Sequence, residues 1–279
     1  MALPVLRLQD GLLRVVVDHA RSGFAGDADW IDAVIARHTM PFSRPEFLKA
    51  VRALSARYVE HRSALPSRSP LDSAGKRAAF AGFYAPLHYL TIRGLLRALP
   101  LGPQSRVLDL GCGTGVGGLA WAASLPTAVP VTGVDLNTWA LEELRWNSRH
   151  LAIPCRTQRG SMVDVLDKTL SGRRRQDLAG TGIVCAWSAN ELPGPLRDRL
   201  LTHLLDAHRA GASVLIVEPL ALSAVPWWAL WQAAVTSAGG SADEWRLAPD
   251  LPPALAELDE AAGFRRDALT ARSFWLEAA

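Results

Sequence analysis

The stretch from Arg106 to Gly115 constrains the fold more than any other part of the sequence. It reads Arg-Val-Leu-Asp-Leu-Gly-Cys-Gly-Thr-Gly, so a short apolar run ends in three alternating glycines. The run is typical of a buried parallel strand. The glycines permit a sharp turn and a close approach of the backbone to a ligand. Residues 116–125 then predict a helix, whose first N–H groups favour a negatively charged or strongly accepting group at the turn.

A second strand and an acidic residue follow this turn. Residues 129–134 are mostly apolar and end at Asp135, which lies 20 residues beyond Gly115. This spacing predicts a carboxylate at the tip of the neighbouring strand, where it can accept hydrogen bonds from the two hydroxyls of a ribose. Residues 138–150 predict the next helix. An ordinary βαβ unit with a tight turn is the alternative interpretation.

Residues 107–115, Val-Leu-Asp-Leu-Gly-Cys-Gly-Thr-Gly, resemble the cofactor loop of the class I S-adenosylmethionine-dependent methyltransferases. They are less similar to the G-x-G-x-x-G loop of nicotinamide sites. The resemblance covers about residues 100–279. It implies a doubly wound, Rossmann-like α/β sheet and methyl transfer that releases S-adenosylhomocysteine. The implied cofactor-binding residues are Asp109, Gly111, Cys112, Gly113, Thr114, Gly115, Asp135, Leu136, Asn137, Ser161, Met162, Trp187 and Ser188.

The same resemblance assigns parts of the cofactor to parts of this set. Asp135 would hold the ribose, and the turn from Gly111 to Gly115 would hold the methionine part. Many relatives carry an acidic residue after the third strand, where this chain has Ser161 and Met162. We expect these two residues to contact the adenine.

Composition narrows the class of protein further. The chain has 279 residues, of which 49% are hydrophobic, enough for one large domain or for a core with a smaller domain. No apolar run reaches ~18 residues and the N-terminus lacks the pattern of a secretory signal, so we expect a cytoplasmic protein with no membrane partner. The three cysteines lack the spacing of metal ligands, so no metal site is expected. We interpret Cys112 as a packing residue of the turn.

The charge pattern bears on possible partners. The net charge of +3 is only mildly basic, and the densest cationic run is Arg173 to Arg175. This run predicts either a solvated loop or an RNA contact. The sequence does not indicate an oligomeric state.

Residues 1–100 predict a helical N-terminal cap that precedes the core over residues 101–279. Ser43-Arg44-Pro45-Glu46 is a capping-box signature, and Pro86 predicts a kink or break in a later helix. Tyr84 and His88 lie close before the core, so they are candidates for catalysis at the mouth of the cofactor site. Their alternative role is packing within the cap.

The remaining strands of the core follow from apolar runs. Residues 155–160, 183–187 and 213–217 predict the third, fourth and fifth strands, and residues 264–269 and 273–276 predict a closing pair. Asn190 and Glu191 follow the fourth strand, at the edge where open α/β sheets bind ligands. Asn190 is a candidate to orient an acceptor, and Glu191 to hold it or to act as a base. Alternatively, Asn190 caps the next helix and Glu191 is solvated.

Four tryptophans, Trp227, Trp228, Trp231 and Trp245, fall within 19 residues. Trp227 and Trp231 are spaced to share one helical face. We interpret residues 219–250 as a tryptophan-rich lid insertion in which Trp227, Trp228 and Trp231 contact a flat or cationic substrate. The alternative is that these side chains attach the cap to the core.

A narrower resemblance spans about residues 50–192. Leu54-Ser55-Ala56-Arg57-Tyr58, Arg77-Ala78-Ala79-Phe80, Pro86 to Leu99 and Asn190-Glu191-Leu192 are similar to the ribosomal small-subunit methyltransferase-like family. The chain lacks that family's cluster-linked cysteines and its basic C-terminal tail. From the tryptophan-rich segment and the modest net charge, we expect a small-molecule acceptor with a nitrogen or oxygen nucleophile. Ribosomal RNA or a ribosome-assembly substrate is the second expectation, and a non-catalytic cofactor-binding assembly factor is the third.

Overall fold

The computed structural model describes residues 5–8, 11–16, 25–60, 71–171, 178–248 and 250–278. These residues form one nine-stranded sheet with helices packed against it. The strands are β1 (Val5–Leu8), β2 (Gly11–Val16), β3 (Arg106–Leu110), β4 (Val131–Asp135), β5 (Cys155–Arg159), β6 (Thr181–Ala186), β7 (Ser213–Glu218), β8 (Ser241–Leu247) and β9 (Leu269–Leu276). The helices are α1 (Ala25–Thr39), α2 (Arg44–Glu60), α3 (Ala74–Ala79), α4 (Ala85–Ala98), α5 (Val116–Ala123), α6 (Thr138–His150), α7 (Met162–Ser171), α8 (Gly194–Arg209), α9 (Trp228–Ser237) and α10 (Pro253–Ala262).

The strand order is β1-β2-β8-β9-β7-β6-β3-β4-β5. Strands β3 to β7 run parallel to their neighbours within this group, whereas β9 is antiparallel to both β7 and β8. The chain moves outward from β3 through β4 to β5 and then crosses to β6 on the other side of β3. The sheet is therefore a doubly wound α/β sheet, as predicted. Its order reverses between β3 and β6, which is where such sheets bind ligands.

The central strands are apolar because both of their faces are covered. All six residues of β7 and the first five of β6 are buried. On one face, the cap helices share a single hydrophobic cluster with the core, in which Trp30 and Phe47 lie with Val107 and Trp121. The cap thus rests directly on the sheet that carries the glycine turn.

The N-terminal region is not helical throughout, and this part of the prediction is wrong. Strands β1 and β2 pair antiparallel with each other, and β2 pairs parallel with β8 from Leu12↔Asp243 to Val16↔Leu247. Pairing with β2 satisfies backbone groups of β8 that would otherwise form a free edge of the sheet. Helices α1 to α4 make up the helical part of the cap.

Local signals in the cap are confirmed. The backbone N–H of Ser43 donates to Glu46 Oε2 over 2.9 Å, which is the reciprocal bond of a capping box at the start of α2. The Ser43 hydroxyl donates to the same oxygen over 2.6 Å, and this bond, together with the backbone bond, lowers the pKa of Glu46. Within the described residues no helix has the length and apolar character needed to cross a membrane.

The predicted closing pair of strands is half wrong. Strand β9 includes the predicted segment 273–276, but it pairs antiparallel with β7 and β8. Most of residues 264–269 lie in a loop after α10 and do not form the predicted partner strand. Asp259 of α10 accepts hydrogen bonds from the backbone N–H and the guanidinium of Arg266, which fix this loop outside the sheet. The alternation in β8, where Asp243, Trp245 and Leu247 are buried, was the missed strand signal.

Candidate functional site

The glycine turn after β3 has a backbone that only glycines adopt easily. Gly111, Gly113 and Gly115 have φ angles of 65°, 50° and 83°. A Cβ on Gly115 would collide with Leu144, and one on Gly111 would lie 2.6 Å from Ser188 Cβ. The turn is therefore pressed between α6 and the loop after β6, and it delivers the chain to the N-terminus of α5.

Asp109 supports this turn from beneath. Its side chain is 1% exposed, and its Oδ2 accepts a hydrogen bond of 2.7 Å from the backbone N–H of Gly118 in the first turns of α5. Burial raises the pKa of Asp109 to about 7; the bond from Gly118 opposes this shift, and the charge of Asp135 adds to it. Asp109 was predicted to bind the cofactor, but it faces the helix instead.

Asp135 lies at the tip of β4, beside the turn. Its Oδ2 accepts from the backbone N–H of Gly113 and its Oδ1 from that of Asn137, each over 2.8 Å. An ionised carboxylate offers about four acceptor positions, so about two are left for a ligand. Leu136, the next residue, is 67% exposed although it is large and apolar. The spacing from Gly115 thus predicted a real contact between these two segments.

Cys112 and Thr114 occupy the interior of the turn. Cys112 is buried, and its Sγ would lie 2.9 Å from a Cβ on Gly133. Burial, reinforced by the charges of Asp109 and Asp135, raises the pKa of its thiol well above the usual value. Cys112 is therefore a packing residue, as expected. Thr114 is 1% exposed, and its Oγ1 has no hydrogen-bond partner among the described residues.

Two of the predicted adenine and cofactor residues lie against Gly111. A Cβ on Gly111 would lie 2.8 Å from Met162 Cε, and Ser188 Oγ donates to the carbonyl oxygen of Leu110 over 3.0 Å. Ser161, by contrast, accepts a long bond of 3.5 Å from the backbone N–H of Asp164 at the start of α7. Met162 and Ser188 therefore line the region at the carboxyl ends of β3, β4 and β6 beside the glycine turn, which we call the cleft. Ser161 lies at a helix start.

The cap reaches the cleft through a π-helical turn, Phe80–Tyr84, that joins α3 to α4. Ala85 donates its N–H to the carbonyl of Phe80, five residues back. Pro86 has no N–H to offer Gly82 in an ordinary α-helical turn, and the wider turn accommodates this loss. The predicted break at Pro86 is thus a π-helical turn, a feature that is frequent at functional sites.

An aromatic wall formed by Phe80, His88 and Trp187 stands beside the glycine turn. A Cβ on Gly113 would lie 3.8 Å from two ring carbons of Phe80. The rings of His88 and Trp187 stack with centroids 3.9 Å apart, and Phe80 meets His88 edge-on at 6.2 Å. All three side chains are partly exposed. The wall presents flat surfaces to the cleft.

Two properties of the wall bear on its chemistry. Trp187 has a φ of 52°, an unusual conformation for a bulky residue that is often found at functional sites. Burial, with a smaller effect of Arg266, lowers the pKa of His88 to about 3. The imidazole is therefore neutral near pH 7 and is a poor base, so it contributes a surface rather than a proton acceptor.

Carboxyl groups follow β6 and β7 on the other side of the turn. Glu218 is fully buried; its Oε1 accepts from the N–H of Asn190 over 3.2 Å, and its Oε2 has no partner among the described residues. Burial raises the pKa of Glu218 to about 8. The side chain of Glu191 is exposed, as the alternative interpretation of the sequence has it, yet the protein atoms packed around its carboxyl group and, to a smaller extent, the charge of Asp135 raise its pKa to about 7. Asn190 Oδ1 also has no described partner.

Tyr84 does not reach the cleft. Its side chain is 9% exposed, and its hydroxyl donates to the carbonyl oxygen of Val51 in α2 over 3.2 Å. Burial raises the pKa of this phenol. The predicted catalytic role is wrong because the π-helical turn directs Tyr84 into the interior of the cap.

The tryptophans do not form a lid, and the predicted substrate contacts are wrong. Trp227, Trp228 and Trp231 are 7%, 5% and 0% exposed. Trp228 stacks on Phe274 of β9 with ring centroids 3.8 Å apart. Helix α9 must bury an apolar face against β8 and β9, and these indoles form that face. Trp245 lies within β8 and is also 0% exposed.

Sequence reasoning missed two residues of the site. The sequence places Phe80 in the family motif Arg77-Ala78-Ala79-Phe80 but does not predict its contact with the site. That contact depends on the π-helical turn and on the packing of the cap. Glu218 ends the fifth strand, and an acidic residue at the carboxyl end of a central strand is a signal that could have found it. In the described ranges, no group of three or more His, Cys, Asp or Glu side chains is arranged to hold a metal ion.

Comparison with known proteins identifies the family. Residues 92–172 match the methyltransferase small domain family. The chain is 30% identical over 215 residues to a ribosomal protein L11 methyltransferase of Rhodopseudomonas palustris (strain BisB5), across 76% of this chain and 68% of that protein. The chain belongs to the class I S-adenosylmethionine-dependent methyltransferases.

Solved methyltransferase structures resemble this methyltransferase at low sequence identity. An O-methyltransferase family protein from Burkholderia thailandensis is 13% identical, with a TM-score of 0.47 over 81% of this chain and 63% of that one. A tRNA (uracil-54, C5)-methyltransferase from Pyrococcus abyssi, in complex with S-adenosyl-L-homocysteine, is 14% identical, with a TM-score of 0.38 over 70% of this chain and 38% of that one.

Proposed function

We propose that this methyltransferase binds S-adenosylmethionine across the ends of β3, β4 and β5 and methylates a nitrogen or oxygen nucleophile held beside Glu191. The observation that carries the cofactor assignment is the pairing of Asp135 with the N–H of Gly113, which leaves acceptor positions for ribose hydroxyls beside the turn. The partnerless hydroxyl of Thr114 and the N-terminus of α5 suit the methionine part. Leu136 and Met162 suit the adenine.

The bound cofactor supplies an activated methyl group on a sulfonium, so the protein has to align the nucleophile, exclude water and remove a proton where one is lost. Glu191 has a pKa near neutrality and is suited to accept that proton. Asn190 Oδ1 is free to accept a hydrogen bond from an acceptor N–H or O–H. Phe80, His88 and Trp187 exclude water from one side of the cleft.

An amine-bearing small molecule is the acceptor class that the cleft supports best. The carboxyl groups of Asp135 and Glu191 lie on the same side of the sheet as the aromatic wall beside the glycine turn, a combination that suits a cationic or flat acceptor and disfavours phosphate. Trp227, Trp228 and Trp231 are buried and do not support this acceptor class. The net charge of +3 is also modest for a protein that binds nucleic acid.

A ribosomal protein is the second candidate acceptor, because the relative from R. palustris is named for ribosomal protein L11. A protein amine would use Glu191 and Asn190 in the same way. The run Arg173 to Arg175, for which the sequence predicts a solvated loop or an RNA contact, lies outside the described residues.

The acceptor class can be decided by labelling. The purified protein is incubated with methyl-tritiated S-adenosylmethionine and a bacterial extract, which is then separated into RNA, protein and small molecules. Label in the small-molecule fraction is expected, and it should be lost with Glu191→Gln. Label in the protein fraction would favour the ribosomal candidate. Label in RNA, with binding that weakens steeply as salt rises, would overturn the amine proposal.

A further inference from the structure

A buried chain of hydrogen bonds joins the cap to the glycine turn through Asn147. Trp30 of α1 donates its indole N–H to Asn147 Oδ1 over 2.9 Å. Asn147 Nδ2, on α6, donates to the carbonyl oxygen of Thr114 over 2.9 Å. Trp30 and Asn147 are each 1% exposed. Three segments that are distant in sequence are therefore connected along a path shielded from solvent.

The chemistry of the two partners fixes the direction of this chain. An indole nitrogen can only donate, so it requires the amide oxygen of Asn147. A backbone carbonyl can only accept, so it requires the amide nitrogen. Asparagine is the side chain of this size that offers both groups at once. Aspartate would place an oxygen against the carbonyl of Thr114, and leucine would satisfy neither partner.

A second contact, between the C-terminal end of α1 and Glu143, also holds α1 against α6. Arg37 NH2 and His38 Nε2 contact the two carboxylate oxygens of Glu143 at 3.0 Å and 3.2 Å. Glu143 is 4% exposed and lies one helical turn before Asn147. Arg37 is partly exposed, but Glu143 is buried, so losing its partners would leave an uncompensated buried carboxylate. This contact therefore keeps Trp30 within reach of Asn147.

We propose that Asn147 is a positioning residue for the cofactor turn and that helix α1 acts on the turn through Trp30. The inference rests on the proposed use of the turn as the cofactor site. Fixing the carbonyl of Thr114 fixes its peptide plane, and with it the N–H of Gly115, which donates to the carbonyl of Cys112 over 2.7 Å. Thr114 also carries the hydroxyl that has no hydrogen-bond partner within the part of the chain that the structure describes.

The cap offers a matched control beside Trp30, because the ring of Tyr89 packs against the Trp30 ring with centroids 4.7 Å apart while its hydroxyl makes a separate contact. Tyr89 donates its hydroxyl to Asp27 Oδ1 over 2.7 Å, and Arg93 connects Asp27 to Ser124 at the end of α5. This contact also joins α1 to the rest of the fold through a buried aromatic side chain, but it does not reach the glycine turn. Tyr89→Phe removes one hydrogen bond there and keeps the ring.

The test compares Trp30→Phe, Asn147→Ala and Tyr89→Phe by two measurements. The first is hydrogen exchange of the backbone amides of residues 111–115 in the unliganded protein. The second is the Kd for S-adenosylhomocysteine. Trp30→Phe and Asn147→Ala should accelerate exchange in the turn and raise the Kd about fivefold to tenfold, as expected for one lost buried hydrogen bond. The double variant should raise the Kd by less than the two single effects combined, because both substitutions break the same chain of hydrogen bonds.

Tyr89→Phe should lower the thermal midpoint through its lost hydrogen bond, although by less than Trp30→Phe, which also shrinks a buried ring. It should leave exchange in the turn and the Kd within twofold of the wild type. If Trp30→Phe leaves exchange in the turn and the Kd unchanged, as the control does, the inference is wrong. Trp30→Phe alone can therefore test the inference even if Asn147→Ala does not fold. If the wild type does not bind S-adenosylhomocysteine, the proposed function fails, while the exchange measurement still decides the inference.

Discussion

The carboxylate of Asp135 accepts a hydrogen bond of 2.8 Å from the backbone N–H of Gly113. This bond connects the tip of β4 to the glycine turn after β3 and so joins the two halves of the sequence motif. It orients the carboxylate beside the carboxyl end of β3, one strand from the point between β3 and β6 where the strand order reverses. The turn, the acid and the helix that follows are therefore one unit, and the chemistry of the cleft is built around it.

Glu191 should control the pH dependence of methyl transfer. A base must be ionised, and the pKa of Glu191 is about 7, so kcat should fall as the pH drops below 7. Glu191→Gln should lower kcat by about 10²-fold to 10⁴-fold and remove that inflection. Steady-state rates between pH 5.5 and 9 would check this. The same inflection in the variant would assign it to another group.

Glu218 should make the protein less stable as the pH rises. Its pKa is about 8 in the folded state and about 4.5 in the unfolded chain, so the folded state binds more protons between these values. Stability should therefore decline from pH 4.5 to pH 8 and level off above it, by a few kcal/mol at most, of the order set by ~1.4 kcal/mol per pKa unit. Glu218→Gln should flatten this decline. Urea unfolding at pH 5, 7 and 9 provides the measurement, and equal slopes in both proteins would contradict the assignment.

Replacing Trp231 should lower the stability of the fold and leave acceptor binding unchanged. Trp231 is fully buried against the other tryptophans of α9 and near Phe274. Truncation to alanine should cost about 3–5 kcal/mol of unfolding free energy. Denaturant unfolding would measure this loss, and the KM for the acceptor, taken at a temperature where the variant is still folded, should be unchanged. A raised KM with little loss of stability would restore the lid interpretation.

Replacing Phe80 should weaken cofactor binding more than it lowers the stability of the fold. The Phe80 ring is partly exposed and lies over Gly113, so Phe80→Ala removes less buried surface than a change at Trp231. We expect a stability loss below that of Trp231→Ala, together with a Kd for S-adenosylhomocysteine raised several-fold by loss of apolar contact. Calorimetric titration and thermal unfolding of the same preparation would separate the two effects. An unchanged Kd would remove Phe80 from the site.

Local patterns predicted the centre of the fold well. Strand β3, the turn, α5, β4 and Asp135 follow one another within about thirty residues, and each element has its own signal in apolar runs, glycines or spacing. The helix predicted over residues 138–150 has those bounds in the structure. The contact between Asp135 and Gly113 could be predicted because the βαβ connection determines which strand tips are neighbours.

Long-range packing decided what the sequence could not show. The tryptophans of α9 are equally compatible with a lid and with a core, and only the position of β9 beneath them distinguishes the two. Phe80 reaches the cleft because a π-helical turn rotates it there and the cap rests on the sheet. Strand β8 was missed because its alternation is short and contains the charged residues Asp243 and Glu244.

The most direct test of the cofactor site is the affinity for S-adenosylhomocysteine, measured by calorimetry for the wild type, Asp135→Ala and Glu142→Ala. Glu142 is an exposed carboxylate on α6 and serves as the control for charge. The wild type and Glu142→Ala should bind alike, whereas Asp135→Ala should lose about 1.5–3 kcal/mol of binding free energy through its hydrogen bonds to the ribose. Equal affinity in all three proteins would contradict the assignment of Asp135 and, with it, the site.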